Sequence, residues 1–467
     1  MVSSQAHNLI IGVRFIFLQM FYILYSAVLL LLLFTFKDKL TNYWSYLFLS
    51  LSIPAVFIFQ KYYNSFYNFI TIPDWKVIII FIVVILFICV KIISEDSGFE
   101  VSALTLLLLF GALLVIVSEH LVVIYLAIEL QTFCIFILIA KNKSSLKGAE
   151  AALKYFILGA VSSGFLLLGI SLLLYEGSSL TLENLRADWL ISSPILQTGL
   201  ILIVMSLIFK LAAAPLHFWI PDIYEGSSWS IIGIISTIAK ISIIVVLQQI
   251  NFSSDLLIAI IILSLLVGTF GALNQTKLKR LLGYSGISHM GFILIGLLII
   301  GVHGYESTYS YLVIYFLLMV GILGLSYLGW KSRDVFLVEL GLYHTTNKLL
   351  ALSWGVIFLS IAGIPPLSGF FSKWLMIVLL ADHGYLFTLF ISILVSAIGA
   401  GYYLRVVKIN YFQKESSYMV WEYALKEKKE SQIGVASLVG VSLYVSLFLI
   451  LNPNPLFSIF LVNCFMM

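Results

Sequence analysis

The sequence predicts an all-α polytopic membrane protein with about 14 transmembrane helices, and three observations carry the prediction. The 467 residues are 61% hydrophobic and only 10% charged, whereas about a quarter of the residues in an average soluble domain are charged. The mean hydropathy is +1.10. The apolar runs reach the length of roughly 20 residues that a helix needs to cross a bilayer. This composition excludes a soluble enzyme, a nucleic-acid-binding protein and a disordered chain.

Fourteen segments are long and apolar enough to cross a membrane, and we number them in chain order as spans 1–14. The alternating pattern of an outer-membrane β-barrel is absent, because runs such as Leu29–Leu33 are apolar on every face. The tail 452–467 is not assigned to a span. The spans are 9–34, 43–60, 76–94, 100–118, 120–140, 150–175, 195–218, 229–250, 256–274, 280–301, 308–329, 351–380, 384–412 and 433–451.

Lysine and arginine fall unevenly on the two sides of the predicted bundle. Of the 26 such residues, eighteen lie in or beside connections that follow odd-numbered spans, and three lie in connections that follow even-numbered spans. Positive residues remain on the cytoplasmic or matrix side of a membrane. We therefore expect the odd-numbered connections, including Lys426–Lys429 after span 13, on this inner side and both termini on the outer side.

Prolines interrupt two of the spans, with Pro215 in span 7 and the pair Pro365 and Pro366 in span 12. A proline removes a backbone donor and clashes with the preceding turn, so both helices are expected to be discontinuous at mid-membrane depth. The breaks lie five spans apart, each near a lysine. Spans 4–8 and 9–13 are therefore predicted to form two inverted five-helix repeats, as in secondary transporters. Proline kinks that only shape a helix bundle are the alternative.

The repeats divide the chain into four parts. Residues 1–99 hold spans 1–3, residues 100–250 hold the first repeat, and residues 251–412 hold the second, inverted repeat. Residues 413–467 hold an amphipathic connection, span 14 and the C-terminal tail.

Four ionisable residues lie well inside predicted spans, namely Glu129, Lys210, Lys240 and Lys373. Such a group at the bilayer centre costs about 2.5–3.5 kcal/mol on insertion scales, so it indicates an ion or proton path. A buried lysine gives up its proton more readily than an exposed one, which suits it to a relay. We therefore predict that these four residues transfer protons.

Structural alternatives remain for several of these residues. A static ion pair of Glu129 with Lys210 would join two helices, and Lys373 would extend its amine to the membrane surface. Lys240 has long apolar runs on both sides and no such alternative. His217 and His289 are possible further relay members, although a hydrogen-bonded core histidine is an equally good explanation for each.

No cofactor or metal site is predicted in this chain. The three cysteines stand apart from one another, and the sequence contains no Walker loop, no GxGxxG after a strand and no HExxH motif. We expect a chain that moves protons and holds no redox centre.

Three motifs stand out in the sequence, namely Ala152–Gly159, Phe209–Gly226 and Leu359–Lys373. They resemble those of the antiporter-like proton-pumping subunits of respiratory complex I, and the resemblance extends over spans 2–14. It places the family's helix-5 glutamate at Glu129 and its helix-7 lysine at Lys210. It places the central helix-8 lysine at Lys240 and the helix-12 ionisable residue at Lys373, where the subunit 4 type usually has glutamate.

The resemblance implies a membrane-arm subunit of a hetero-oligomeric NADH:ubiquinone oxidoreductase that couples quinone reduction to proton pumping. Its partners would be other membrane-arm subunits and lipids, with no nucleic acid. NADH, FMN, iron–sulfur clusters and ubiquinone would be used by other subunits. The frequent Ile, Phe, Tyr and Lys and the scarce Ala favour the mitochondrial inner membrane over a bacterial plasma membrane.

Two other functions compete with this one. A cation/proton antiporter subunit would use the same fold, but it is expected to carry acidic and hydroxyl ligands, and three of the four central charges here are lysines that repel cations. A purely structural scaffold does not explain ionisable residues at mid-span.

Overall fold

The computed structural model describes residues 73–94, 99–141, 145–188, 193–250, 253–330, 335–341, 343–344, 347–412, 433–449 and 451–453. Spans 1 and 2, the basic segment Lys426–Lys429 and most of the C-terminal tail lie outside these residues.

The described part of the chain is helical, and its β-type pairing is limited to two isolated bridges, His120 with Thr181 and Lys277 with Phe336. One short 3₁₀ helix covers Leu337–Gly341. The α-helices are α1 (Asp74–Ile93), α2 (Phe99–Val117), α3 (Leu121–Ala140), α4 (Leu146–Tyr175), α5 (Leu182–Asp188), α6 (Pro194–Leu211), α7 (Trp219–Gly226), α8 (Trp229–Ser236), α9 (Ile238–Gln249), α10 (Ser254–Leu273), α11 (Leu278–Leu298), α12 (Val302–Trp330), α13 (Lys348–Ala362), α14 (Ser368–Asp382), α15 (Leu386–Phe412) and α16 (Ile433–Phe448).

The predicted all-α membrane fold is confirmed. Ten described helical segments are long and apolar enough to cross a membrane, and two shorter apolar helices, α13 and α16, accompany them. Spans 3–6, 9–11, 13 and 14 each correspond to one helix. Spans 8 and 12 each comprise two helices, and span 7 comprises α6 and the non-helical residues that follow it, before α7. The total of fourteen spans stays a prediction, because the first two lie outside the described residues.

The centre of the bundle is formed by α9, α11 and α12, whose side chains are mostly buried, whereas α4 and α15 carry many exposed apolar side chains. Close contact between α10 and α11 depends on Gly268. A Cβ atom there would lie 2.5 Å from the backbone nitrogen of Ser288. The absence of a side chain at Gly268 thus lets the two helix backbones approach each other.

Span 7 is discontinuous, as predicted. Helix α6 ends at Leu211, and Ala212 takes a left-handed conformation with φ of 60°. The amides of Ala212 and Ala213 donate to the carbonyls of Phe209 and Ile208, at 2.9 and 3.2 Å. This pair of bonds is a Schellman motif, which satisfies carbonyls that the ended helix would leave unpaired.

The first helix of span 12 ends in the same way. Helix α13 stops at Ala362, and Gly363 has φ of 83°. The amides of Gly363 and Ile364 donate to Ser360 and Leu359, at 3.0 and 3.2 Å. The same end motif therefore precedes Pro215 in the first predicted repeat and Pro366 in the second, and each proline follows the left-handed residue by three positions. The lysines are not equivalent, since Lys210 precedes its break and Lys373 follows its own.

A third interruption, in span 8, was missed by the sequence analysis. Thr237 separates α8 from α9, with φ of −118° and ψ of −75°. Its hydroxyl donates to the carbonyl of Gly233 at 2.7 Å, a side-chain bond of the type that bends helices. The interruption lies three residues before Lys240.

A charged cluster joins several connections at the predicted inner side. Glu225, at the end of α7, pairs with Lys277, with Lys147 at 3.1 Å and with Arg280 at 3.0 Å. Burial raises the pKa of the Glu225 carboxyl, but the hydrogen bonds from Lys277, Arg280 and Lys147 outweigh it and lower the pKa to about 2. The connections that follow spans 5, 7 and 9 thus meet on one side, as the charge bias requires.

Candidate functional site

Lys240 lies at the centre of the bundle and is 1% exposed. Its Nζ has no hydrogen-bond partner among the described residues and lies 5.8 Å from the centre of the Tyr315 ring. On the facing helix, a Cβ atom at Gly286 would lie 3.6 Å from this Nζ and 3.5 Å from the Tyr315 hydroxyl. The site is therefore bounded by an aromatic ring and by helix backbone, and no carboxylate of the described residues bonds to the amine.

His289, one turn along α11 from Gly286, lies between two of the predicted lysines. Its Nδ1 is 2.8 Å from the Tyr311 hydroxyl, and its Nε2 is 3.3 Å from the Tyr403 hydroxyl. The charges of Lys373 and Lys240 both act on the ring, and the ring centre is 5.0 Å from that of Tyr315. His289 is thus a hydrogen-bonded core histidine that also lies beside the lysines.

Lys373 binds the end of a broken helix. Its Nζ donates to the backbone oxygen of Ala362 at 2.7 Å, and its stem packs on Gly363, where a Cβ atom would lie 2.8 Å from Cδ. The side chain is buried. It therefore points into the bundle at the break and does not extend to the membrane surface.

Lys210 and Glu129 interact electrostatically without forming an ion pair in contact. Lys210 Nζ is buried in the last turn of α6 and has no hydrogen-bond partner in the described part of the chain. The carboxylate of Glu129, on α3, lies 3.5 Å from the Thr132 hydroxyl. The static ion pair considered from the sequence is not present in this structure.

His217 and the three break prolines lie towards the surface. His217 Nδ1 is 3.2 Å from the Pro215 carbonyl oxygen, and its ring packs on Phe218. Pro215, Pro365 and Pro366 are exposed. The structure therefore brings His289, and not His217, next to the central lysines.

Several polar residues around these lysines were not identified from the sequence. The hydroxyls of Tyr311 and Tyr403 flank His289, and Gln131 donates to Ser242 at 3.4 Å between α3 and α9. Lys76, the first residue of predicted span 3, is fully buried and pairs with Glu119. The position of Gln131, two residues after Glu129 in an apolar span, could have identified it from the sequence. No local feature of the sequence distinguishes Tyr311 and Tyr403.

The described residues contain no group of three or more His, Cys, Asp or Glu side chains that could hold a metal ion. The ionisable groups instead follow the order of the helices. Glu129 lies on α3, Lys210 on α6, Lys240 on α9 and Lys373 on α14. Groups of this kind can take up and release protons.

Comparison with known proteins agrees with this arrangement. A family model described as NADH:quinone oxidoreductase/Mrp antiporter, transmembrane, matches residues 118–399. NADH-ubiquinone oxidoreductase chain 2 of Metridium senile is 37% identical over 373 residues, which are 78% of this chain and 97% of that relative. NADH-quinone oxidoreductase subunit N of Nitrosomonas europaea is 33% identical over 333 residues, which are 67% of this chain and 68% of that relative.

A solved structure gives the same result. One chain of respiratory complex I from Thermus thermophilus, with bound aureothin, superposes on this chain with a TM-score of 0.78 and 26% identity. The match covers 93% of this chain and 97% of that one. On the fold, the buried lysines and these matches together, the chain belongs to the NADH:quinone oxidoreductase/Mrp antiporter transmembrane family.

Proposed function

We propose that this chain is the chain 2, or subunit N, component of a proton-translocating NADH:ubiquinone oxidoreductase. Both quoted relatives carry these names, and the superposed chain comes from a respiratory complex I. The chain is then a multi-pass protein of the mitochondrial inner membrane, or of a bacterial plasma membrane. Its partners are the other membrane-arm subunits and lipids.

The observation that carries the proposal is the set of aromatic rings that joins His289 to both lysines. Tyr315 lies beside His289 and faces Lys240, whereas Tyr311, bonded to His289, stacks on Phe292, which faces Lys373. Two buried amines and an imidazole within one polar cluster offer consecutive sites that can hold a proton. Tyr311 and Tyr403 fix the ring through its two nitrogens. A proton on one lysine disfavours a proton on the other, because like charges at short range repel in a medium of low dielectric constant.

Glu129 and Lys210 act as the first pair of the relay. While Glu129 is ionised, its charge favours the protonated form of Lys210. Protonation of Glu129 removes that support, so Lys210 releases its proton more readily. The gap between the two groups leaves each free to change its charge without first breaking a contact ion pair.

The redox chemistry belongs to partner subunits in this proposal. NADH, FMN, iron–sulfur clusters and ubiquinone are used there, and this chain holds no redox centre. Its contribution is to convert the energy of quinone reduction into proton movement through Glu129, Lys210, Lys240 and Lys373.

A cation/proton antiporter subunit is the second candidate, since the family description includes Mrp antiporters. The Lys240 amine faces the Tyr315 ring and lies beside the helix backbone at Gly286. A site for Na⁺ would need several oxygen ligands and negative charge, so the contacts of Lys240 favour proton transfer over cation binding.

Isolation of the native protein distinguishes the two functions. We expect the chain to migrate in a large complex that oxidises NADH and pumps protons with or without Na⁺. A particle that lacks NADH oxidation and exchanges Na⁺ for protons would contradict the proposal and favour the antiporter.

A further inference from the structure

A buried ion pair lies at the outer end of the bundle, away from the relay residues. Lys76, in the first turn of α1, is fully buried and donates to the carboxylate of Glu119 in the connection between α2 and α3. Both positions adjoin connections that follow even-numbered spans, so the pair belongs to the outer side. Two charges withdrawn from water require strong compensation.

Helix α9 joins this pair to the central lysine. Gln249, the last residue of α9, lies with its Nε2 3.5 Å from Oε1 of Glu119. Lys240 is nine residues earlier on the same helix. At a rise of 1.5 Å per residue, the two positions are roughly 13 Å apart along the helix axis.

A side-chain hydrogen bond joins the outer parts of α9 and α12. The hydroxyl of Tyr309 donates to Gln248, and Tyr309 lies six residues towards the outer side from Tyr315, whose ring faces Lys240. Ser307, Thr308 and Ser310 on the same stretch of α12 are buried, and their hydroxyls donate to carbonyls of α12 itself. Polar side chains at this depth are costly in a membrane protein and indicate a path for ions or protons.

We propose that Glu119 is the outer proton-release group of this chain, with Lys76 as the residue that positions and charges it. The inference rests on the proposed function. A proton that leaves Lys240 along the Tyr309, Gln248 and Gln249 side chains is taken up by the Glu119 carboxylate, which becomes neutral. Release of that proton to outer water restores the carboxylate and its ion pair with Lys76, so each cycle ends where it began.

Two other titratable groups lie beside the pair. Glu183, on α5, acts electrostatically on Lys76. His120 follows Glu119 and accepts a hydrogen bond from the amide of Val122 at 3.3 Å, where it caps α3. Both lie at the same outer end. Glu119 contacts both Lys76 and α9.

A static ion pair that joins α1 to α2 is the structural alternative, and a paired substitution separates the two roles. The double variant Lys76→Met with Glu119→Gln removes both charges, so neither partner is stranded, and assembly is expected to survive. We expect at least a threefold loss of NADH-driven proton pumping per assembled complex. Normal pumping by the assembled double variant would overturn the proposal and leave the pair as a structural contact.

The exchanged pair, Lys76→Glu with Glu119→Lys, provides a second test. It restores an ion pair but moves the carboxylate to α1, away from Gln249. We expect the exchanged variant to assemble and its pumping to remain low, whereas normal pumping would overturn the release role. Lys154→Met is the matched control, because it removes a lysine that pairs with Asp222 at 2.7 Å on the inner side, and it should pump normally. The relay is tested separately at Lys240, so failure here leaves the proposed function intact.

Discussion

Lys373 donates a hydrogen bond from its Nζ to the backbone oxygen of Ala362, 2.7 Å away, at the residue where α13 ends. Lys373, which follows the second break, thus donates a hydrogen bond to a carbonyl at the end of α13. Its charge state and the geometry of the break are linked through this contact, because the ammonium is a stronger donor than the neutral amine.

Lys373→Arg and Lys373→Met separate hydrogen bonding from proton transfer at this site. Arginine keeps a charged donor for Ala362 but cannot release its proton. Methionine loses both functions. We expect both variants to assemble and to lose pumping at least tenfold in assays of NADH-driven proton uptake into vesicles. Full pumping by the arginine variant would reduce Lys373 to a structural cap.

Gly363→Ala should disturb the same break. The left-handed φ of 83° costs about 1–2 kcal/mol for a residue with a side chain, and the new Cβ would lie 2.8 Å from Lys373 Cδ. Gly384→Ala is a matched control, since Gly384 has φ of 75° and nothing within 4 Å of the added atom. Pumping and thermal stability of the two complexes should differ, with the larger loss at Gly363. Equal losses would mean that only the backbone conformation matters.

The effects of Glu129→Gln and Lys210→Met on proton pumping should be partly coupled. The two groups interact at a distance rather than in contact, so each single change removes the influence of one charge on the other. We expect the double variant to lose about fivefold less pumping than the product of the single losses, a coupling of about 1 kcal/mol. Multiplicative losses in a double-mutant cycle, normalised to assembled complex, would show that the residues act independently.

Glu225→Gln should destabilise the inner side of the bundle. Charge-assisted hydrogen bonds of this kind contribute about 1–3 kcal/mol. Because the pKa of Glu225 falls from its ordinary value of 4.5 to about 2, its stabilisation is present above pH 4.5 and is lost as the pH falls towards 2. Thermal unfolding of the wild-type and variant complexes at pH 7 and pH 3 should show a smaller difference at pH 3. A difference that does not depend on pH would contradict this explanation.

The buried positions of the mid-span lysines and the helix breaks were predictable because their signals are local. A lysine such as Lys240 within a long apolar run, or a proline pair at mid-span, stands out in the sequence itself. Tyr311 and Tyr403 could not be singled out among the 25 tyrosines. Their contacts with His289 depend on how α11, α12 and α15 pack.

Two other features were hidden for different reasons. Lys76 and Glu119 stand at the ends of predicted spans, where charges are common, so only the packing of α1 against α2 reveals that they are buried together. The interruption at Thr237 contains no proline and depends on a hydroxyl contact with Gly233. His217 was considered because of its place beside a break, but the side chain's direction is set by the three-dimensional fold.

The most direct measurement of the central claim is proton pumping by an assembled Lys240→Met complex. Methionine is close to lysine in volume and carries no ionisable group, so the buried site of Lys240 is expected to accept it without loss of assembly. The complex should be quantified by native electrophoresis with NADH-oxidation staining, and pumping measured in sealed vesicles. The account predicts a normal amount of complex with coupled turnover at least tenfold lower, and equally low activity for Lys240→Arg. Full proton pumping by assembled Lys240→Met would contradict the relay.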